Sequence, residues 1–453
     1  MSDPLRASLR RRVGRALRLG ATSARASTEW AAASLLGAMG RGAGAEALLR
    51  SSAARVAAGL GRMKGLAMKV GQYLSFALPD LSPEIRDALA VLQTSSRPRP
   101  FPAIAAVIES DLGRPVDAAF RDFERSPVAA ASIGQVHRAR LPDGTRVAVK
   151  VQYPDVAAAV RADLANAALL ARTIRLLIPG LDAEGVAGEL RERILEELDY
   201  RAEARWQAAF GERYSGHPFV AVPAVMASHS AARVLTTAFA DGRDFPEALR
   251  DPAPVRSRHG EILFRFLLRC VLRDGTFVAD PHPGNYRFDA QGARTTFLDF
   301  GCVKALPAPT LAGLRELCRG ALQGDRTQVR GAAERLGLLL AGTDGDAVVN
   351  AFSHLYAPFR RDVAEPFPPV LSAPALRAAA GARFSEVRRD VRIPAELPFV
   401  NRTVVGLYSV LARLGASANW HRIAREYAFG EAPSTELGEA EHAWEGRTLR
   451  DIH

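Results

Sequence analysis

The sequence predicts an α+β protein in which a small β-rich lobe packs on a larger α-rich lobe. Three observations carry this. Residues 115–151, PVDAAFRDFERSPVAAASIGQVHRARLPDGTRVAVKV, alternate in the manner of strands around an LPDGTR turn, a hairpin signal. Helical patterns dominate on both sides of that unit. The segment from Phe277 to Gly301, FVADPHPGNYRFDAQGARTTFLDFG, has two apolar runs, each ending in an aspartate, Asp280 and Asp299.

Taken in order, residues 4–60 are rich in Ala, Leu and Arg and read as helices broken near Gly40–Gly44. The helical pattern continues through 61–95 until Pro98, Pro100 and Pro102 punctuate the chain and mark a boundary. The strand-rich unit follows. A long helical stretch over 155–213 is interrupted around Pro179–Gly180, and 218–240 read as strands again. Residues 258–273, RHGEILFRFLLRCVLR, are apolar enough for a largely buried helix. From 307 onward the chain is mostly helical, and the polar tail at 431–453 is expected to fray.

At 453 residues the chain exceeds one ordinary core, so two or three domains are expected. Apolar residues at 48% and charged residues at 24% exclude a disordered or fibrous chain. The cysteines Cys270, Cys302 and Cys318 lack metal-ligand spacing and read as buried thiols in a reducing compartment. The net charge is +11, and only Lys64, Lys69, Lys150 and Lys304 among its 60 basic residues are lysines. Residues 1–60 hold ten arginines against Asp3, Glu29 and Glu46. That segment fits a transit peptide, an amphipathic helix on anionic lipid, or a solvated surface helix. Aromatic platforms, zinc spacings and RNA-binding signatures do not accompany the charge, so no nucleic-acid partner is expected. No secretory signal is seen. No apolar run reaches eighteen residues, and VVGLYSVLA at 404–412 is too short to span a bilayer.

Asp280 with Asn285 five positions later has the spacing of a kinase catalytic loop, in which the Asp faces the attacking hydroxyl or water and the Asn ligates metal. Asp299 opens DFG, nineteen residues after Asp280, as an aspartate that bridges Mg²⁺ to phosphate does. The alternative is two acidic turn residues after two strands. Upstream, VAVK ends an apolar strand at Lys150, where an ammonium is costly unless paired or bound to an anion. Glu196, Glu197, Asp199 and Glu203 on the following helix are candidate partners, and spacing alone does not choose among them. Between the first two strands, where a glycine-rich phosphate loop belongs, stands VAAASIGQVH. Ala129, Ala130, Ala131, Ser132 and Ile133 precede the single Gly134, an arrangement that presents backbone N–H groups but limits close approach to phosphate. Val278 and Ala279 stand where ordinary protein kinases carry His-Arg.

These departures make the chain resemble the AarF/UbiB family of atypical kinases, the group tied to coenzyme Q biosynthesis. The resemblance covers about residues 60–430 and rests on MKGLAMKVGQ with its K-x-G-Q motif, AAASIGQVH, ILEELDYRAEA with its E-x-D motif, and DPHPGN with LDFG, in that order. It implies a protein-kinase-like bilobal fold with an N-terminal helical extension over the active site. On this reading 1–60 is a basic extension, 61–99 the K-x-G-Q segment, 100–241 the N-lobe, 242–430 the C-lobe and 431–453 a tail. The cofactors implied are ATP or ADP with Mg²⁺. Lys150 would contact phosphates and pair with Glu203, Asp280 would be the catalytic-loop aspartate, and Asn285 and Asp299 would hold metal. VLTTAFADG would be the hinge, with Thr237 and Ala238 beside the nucleotide. Lys69, Gly71 and Gln72 would form a regulatory lid facing Glu197 and Asp199, which argues against protein-kinase activity in trans.

The resulting expectation is an atypical kinase or ATPase of lipid or prenyl-quinone metabolism. It would be cytoplasmic, peripheral to an anionic membrane surface, with a hydrophobic small molecule such as a prenyl-quinone precursor as partner. Two alternatives are a nucleotide-gated lipid-binding switch with little turnover and a small-molecule kinase of the aminoglycoside or choline type.

Overall fold

The computed structural model describes residues 98–131, 133–164, 188, 191, 195, 197–339, 345–368 and 396–450. Residues 1–60, the lid residues Lys69, Gly71 and Gln72, Ser132 and Glu196 lie outside them.

In chain order, α1 spans Phe101–Leu112 and stops at Gly113, which takes a left-handed φ of 68°. Strands β1 (Asp122–Phe123), β2 (Ala129–Ala130), β3 (Gly134–Arg140) and β4 (Arg146–Gln152) follow, then α2 (Val156–Leu164). Next come α3 (Tyr200–Arg213), β5 (Val220–Ala221) and β6 (Val234–Ala238). The buried helix α4 (Ala253–Leu268) runs into a π-turn at Arg269–Asp274 and then β7 (Thr276–Val278). A 3-10 turn at Pro283–Asn285 leads to β8 (Tyr286–Phe288), β9 (Thr295–Phe297) and β10 (Val303–Ala305). The remaining helices used below are α5 (Ala308–Gln323), α6 (Arg326–Arg335), α7 (Asp346–Leu355), α8 (Leu397–Leu414), α9 (Trp420–Phe429) and α10 (Glu436–Arg450).

The chain divides into two compact units, the described part of Met1–Ala202 with Met226–Thr237, and Glu203–Val225 with Ala238–His453. The first unit is built on a sheet of order β1-β3-β4-β6, with β2 also pairing β3. The hairpin signal is realised as an antiparallel β3–β4 ladder running from Gly134↔Gln152 to Arg140↔Arg146. Its turn holds Gly144 at φ 89°, a conformation that only glycine adopts cheaply. Val147, Val149 and Val151 alternate into the core, each 0% exposed.

The second unit centres on α4. Ile262, Leu263, Phe264, Phe266 and Leu267 are buried on it, as the apolar run predicts. Arg265 is equally buried. A buried guanidinium is tolerated only when its donors are met, and here Nε bonds Glu261 at 2.7 Å, Nη1 bonds Glu426 at 2.7 Å and Nη2 bonds Thr435 at 2.8 Å. These bonds tie α4 to α9 and to the entry of α10.

The C-terminal segment differs from expectation. Instead of fraying, Glu436–Arg450 forms α10. Leu437, Glu441 and Trp444, at helical spacing, are buried. Trp444 stacks on Tyr214 at 6.3 Å and donates to the Ser215 carbonyl, and Glu441 takes Arg269 at 3.2 Å. One of its three anchors is a carboxylate, so the segment reads as a polar tail in the sequence. Among the described residues no helix is long and apolar enough to cross a membrane.

Candidate functional site

Two short antiparallel ladders fix the segment from Phe277 to Gly301. In the first, β7 pairs with β10, Val303 opposite Val278, and Ala279 N–H donates to the Cys302 carbonyl at 2.7 Å. This sets Asp280 beside the end of the DFG segment. In the second, β8 pairs with β9, Tyr286 opposite Phe297, and Leu298 N–H donates to the Asn285 carbonyl at 2.9 Å. Asn285 therefore lies next to the residue that precedes Asp299. The spacing seen in the sequence is the spacing these two ladders need.

Asp280, Asn285 and Asp299 line one cavity of about 30 Å³, whose apolar floor includes Phe266 and Cys270. Asn285 Nδ2 donates to the Asp280 main-chain carbonyl at 3.1 Å. That bond commits the amide nitrogen and leaves Oδ1, a hard oxygen, to serve a cation. Asp299 Oδ1 accepts from Gly301 N–H at 2.9 Å. A Cβ at Gly301 would lie 3.2 Å from Asp299 Oδ1 and 3.4 Å from Glu203 Oε2, so glycine lets these two carboxylates close on one place. Glu203 is 6% exposed. The Asp299 carboxylate and the Asn285 amide oxygen, on the same cavity, form a donor set that fits Mg²⁺. That ion binds proteins through one or two carboxylates and completes its shell with water and phosphate oxygens. Among the described residues no group of three or more His, Cys, Asp or Glu side chains is arranged to hold a metal, which leaves such a small oxygen set as the candidate.

The arginine beside Asp280 has no signature in the sequence. Arg402, on α8, donates from Nη2 to Asp280 Oδ1 at 3.0 Å, with the two side chains 14% and 31% exposed. The same helix seats on the loop through Gly406, where a Cβ would fall 2.4 Å from Pro281 Cγ. Helix α8 thus clamps the DPHPGN loop from residues more than a hundred positions away.

In the first unit, Lys150 is half-buried on β4, opposite Val136, with Nζ 5.0 Å from the Tyr200 ring centroid. Ala129 and Ala130 form β2, paired with Val136 and Gln135 of β3, and both are exposed. Ala131 N–H closes a turn on the Gly134 carbonyl at 2.8 Å, and Ile133 is buried. Gly134 has a packing reason of its own, because a Cβ there would lie 2.3 Å from the Val151 main-chain oxygen and 2.9 Å from Tyr200 Oη. Glu197 and Asp199 flank the start of α3. The Glu197 and Leu198 carbonyls accept from Gln152 Nε2 at 3.5 and 3.0 Å, and Asp199 is exposed and accepts from Arg201 N–H at 3.0 Å. Thr237 is the last residue of the first unit and Ala238 the first of the return to the second; Ala238 N–H donates to the Ala224 carbonyl at 2.8 Å.

Comparison with known proteins gives the family and the fold. Residues 91–333 match the ABC1 atypical kinase-like domain. The chain is 31% identical over 374 residues to the mitochondrial atypical kinase COQ8B of Rattus norvegicus, covering 82% of this chain and 70% of that protein. It is 28% identical over 372 residues to the mitochondrial atypical kinase COQ8 of Saccharomyces cerevisiae, covering 81% and 74%. Among solved structures, the Rv3197–erythromycin complex from Mycobacterium tuberculosis is similar with a TM-score of 0.62 at 31% identity, over 82% of this chain and 95% of that one. The α+β, kinase-like fold expected from the sequence is the fold observed.

Proposed function

The chain belongs to the ABC1 atypical kinase-like family, and from that premise we propose that it binds ATP (or ADP) with Mg²⁺ and acts as a phosphotransferase-type enzyme, an atypical kinase or ATPase, in lipid or prenyl-quinone metabolism of the ubiquinone type. The observation that carries this reading is the convergence of Asp280, Asn285 and Asp299 on one cavity, with the Asn285 amide held through its nitrogen.

On this reading Asn285 Oδ1 and the Asp299 carboxylate hold the cation, which when bound neutralises phosphate charge as it is redistributed in transfer. Asp280 orients the attacking hydroxyl or water and receives its proton. Oδ1 is engaged by Arg402, which leaves Oδ2 for that task. Lys150 is assigned to the phosphates with Glu203 as its partner, and the turn from Ala129 to Gly134 with Thr237 and Ala238 to the nucleotide. Lys69, Gly71, Gln72, Glu197 and Asp199 are assigned to a lid that restricts protein-kinase activity in trans. The arginines of residues 1–60 support a peripheral association with anionic lipid, and a hydrophobic small molecule such as a prenyl-quinone precursor fits as partner.

The test is phosphate release from Mg²⁺-ATP by the full chain, with and without vesicles containing anionic lipid, beside Asp299→Asn. Release that rises with vesicles and vanishes in the variant is expected. ATP binding without release would favour the nucleotide-gated switch, and release unchanged in Asp299→Asn would remove that residue from the site.

A further inference from the structure

His282 lies between Asp280 and Asn285, is exposed, and has no part in the roles assigned above. Its contacts give it one. The 3-10 turn Pro283–Asn285 starts with amide donors that no residue inside it can meet. Pro283 has no N–H. Gly284 N–H donates to the His282 imidazole Nδ1 at 3.1 Å. Asn285 N–H donates to the His282 main-chain carbonyl at 2.9 Å. One residue therefore satisfies the whole turn. Because Nδ1 accepts, the proton of the neutral ring sits on Nε2.

The neighbouring glycine is part of the same arrangement. A Cβ at Gly284 would lie 3.0 Å from Nδ1 and 3.3 Å from Cε1, so the ring can lie over this turn only because residue 284 has no side chain. Downstream, the turn delivers Asn285, whose Nδ2 holds the Asp280 carbonyl and whose main-chain oxygen receives Leu298 N–H.

We infer that His282 is a positioning residue for Asn285, holding through Nδ1 the turn that aims the Asn285 side-chain oxygen at the cation. This rests on the assignment of Asn285 to metal in the preceding subsection. The competing role for an exposed histidine two residues after Asp280 is direct contact of Nε2 with phosphate or substrate. Asparagine separates the two. It places an acceptor oxygen near the position of Nδ1, is among the strongest capping residues, and has nothing at the place of Nε2.

The experiment is a Mg²⁺ titration of ATP binding by the full chain, with thermal melting in parallel, for the wild type, Asn285→Ala, His282→Ala, His282→Asn and Gly284→Ala. Asn285→Ala is expected to raise the half-saturating Mg²⁺ concentration about tenfold or more. Loss of a cap corresponds to about fivefold for His282→Ala and for Gly284→Ala. His282→Asn should stay within about twofold of the wild type, and the melting midpoints of the variants at the exposed positions 282 and 284 should barely move. A wild-type Mg²⁺ requirement in His282→Ala, or His282→Asn as impaired as His282→Ala, overturns the inference while the metal site stands. An unchanged requirement in Asn285→Ala overturns the metal assignment and the inference with it.

Discussion

Asp280 is held by a residue 122 positions away, and its chemistry depends on that contact. The Arg402 guanidinium at 3.0 Å fixes one carboxylate oxygen and, in the proposed reaction, leaves the other for the substrate. The pair is partly exposed, so its own contribution to stability is only about 0.2–1 kcal/mol. Its effect on orientation is the larger one. Arg402→Gln is expected to lower the turnover number of Mg²⁺-ATP by about tenfold, which is ~1.4 kcal/mol of barrier, with ATP affinity within about twofold. Steady-state kinetics beside a binding isotherm checks this, and a raised KM at unchanged turnover would instead make Arg402 a substrate-binding residue. Asp280, Asn285 and Asp299 are legible in the sequence because the ladders that join them are local, and local ladders impose fixed spacing. Arg402 is not, because a helix that docks from a hundred residues away leaves no mark in spacing; it reads only as the charged edge of an apolar run. His282 is quoted within its motif but passes without a role, since a cap through an imidazole is not among the usual capping signals.

At the level of elements, the hairpin, the buried helix α4 and the strand ends before the two aspartates follow from alternation and apolar runs. The alanine-rich segment shows the limit of that reasoning. A single glycine where a glycine-rich phosphate loop belongs reads as a remnant of that loop, yet Gly134 is required by β4, whose Val151 oxygen would stand 2.3 Å from any Cβ. A main-chain oxygen within a ladder cannot swing away as a side chain can. Gly134→Ala is therefore expected to destabilise the first unit by ~1–3 kcal/mol, read as a fall in its urea midpoint. Ala130→Gly, on an exposed strand position, should cost no more than about 1 kcal/mol. Equal midpoints for Gly134→Ala and the wild type would contradict the packing. Helix α10 marks the same limit from the other side. Its burial rests on Glu441 meeting Arg269 and on Trp444 stacking on Tyr214, partners that become visible only once the chain has folded.

For the molecule as a whole, three buried imidazoles set a pH dependence. Burial pushes His137, in the first unit, and His217 and His259, in the second, below the ordinary value of 6.5. The geometry agrees. His137 Nδ1 faces the Glu124 carbonyl at 2.7 Å and Nε2 faces the Gln135 amide nitrogen at 2.9 Å, so the ring donates through one nitrogen and accepts through the other. His217 Nδ1 accepts from Val220 N–H at 3.1 Å, and at 3.7 Å Glu441 is too far from Nε2 to outweigh burial. His259 lies between the Thr295 hydroxyl and the Asp289 carbonyl, each at 3.1 Å. Below pH ~6.5 the unfolded chain binds protons at these sites that the folded chain does not, so stability rises with pH there. The contribution is fully present above ~6.5 and is lost as pH falls through the depressed folded values. Urea midpoints for both units should drop between pH 7.5 and 5.5, and a flat profile would contradict neutral burial. The basic charge of the chain, by contrast, is plain in composition, and its densest part at residues 1–60 lies outside the described structure.

In the proposed function Asn285 and Asp299 make a cation-dependent nucleotide site. The measurement that tests it most directly is a calorimetric titration of ATP into the full chain, with Mg²⁺ and with Mg²⁺ chelated, for the wild type and Asp299→Asn. Binding to the wild type should weaken at least about tenfold when Mg²⁺ is chelated, and binding to the variant should no longer depend on Mg²⁺. ATP affinity that is the same with and without Mg²⁺, or a variant that keeps the full Mg²⁺ dependence, would contradict it.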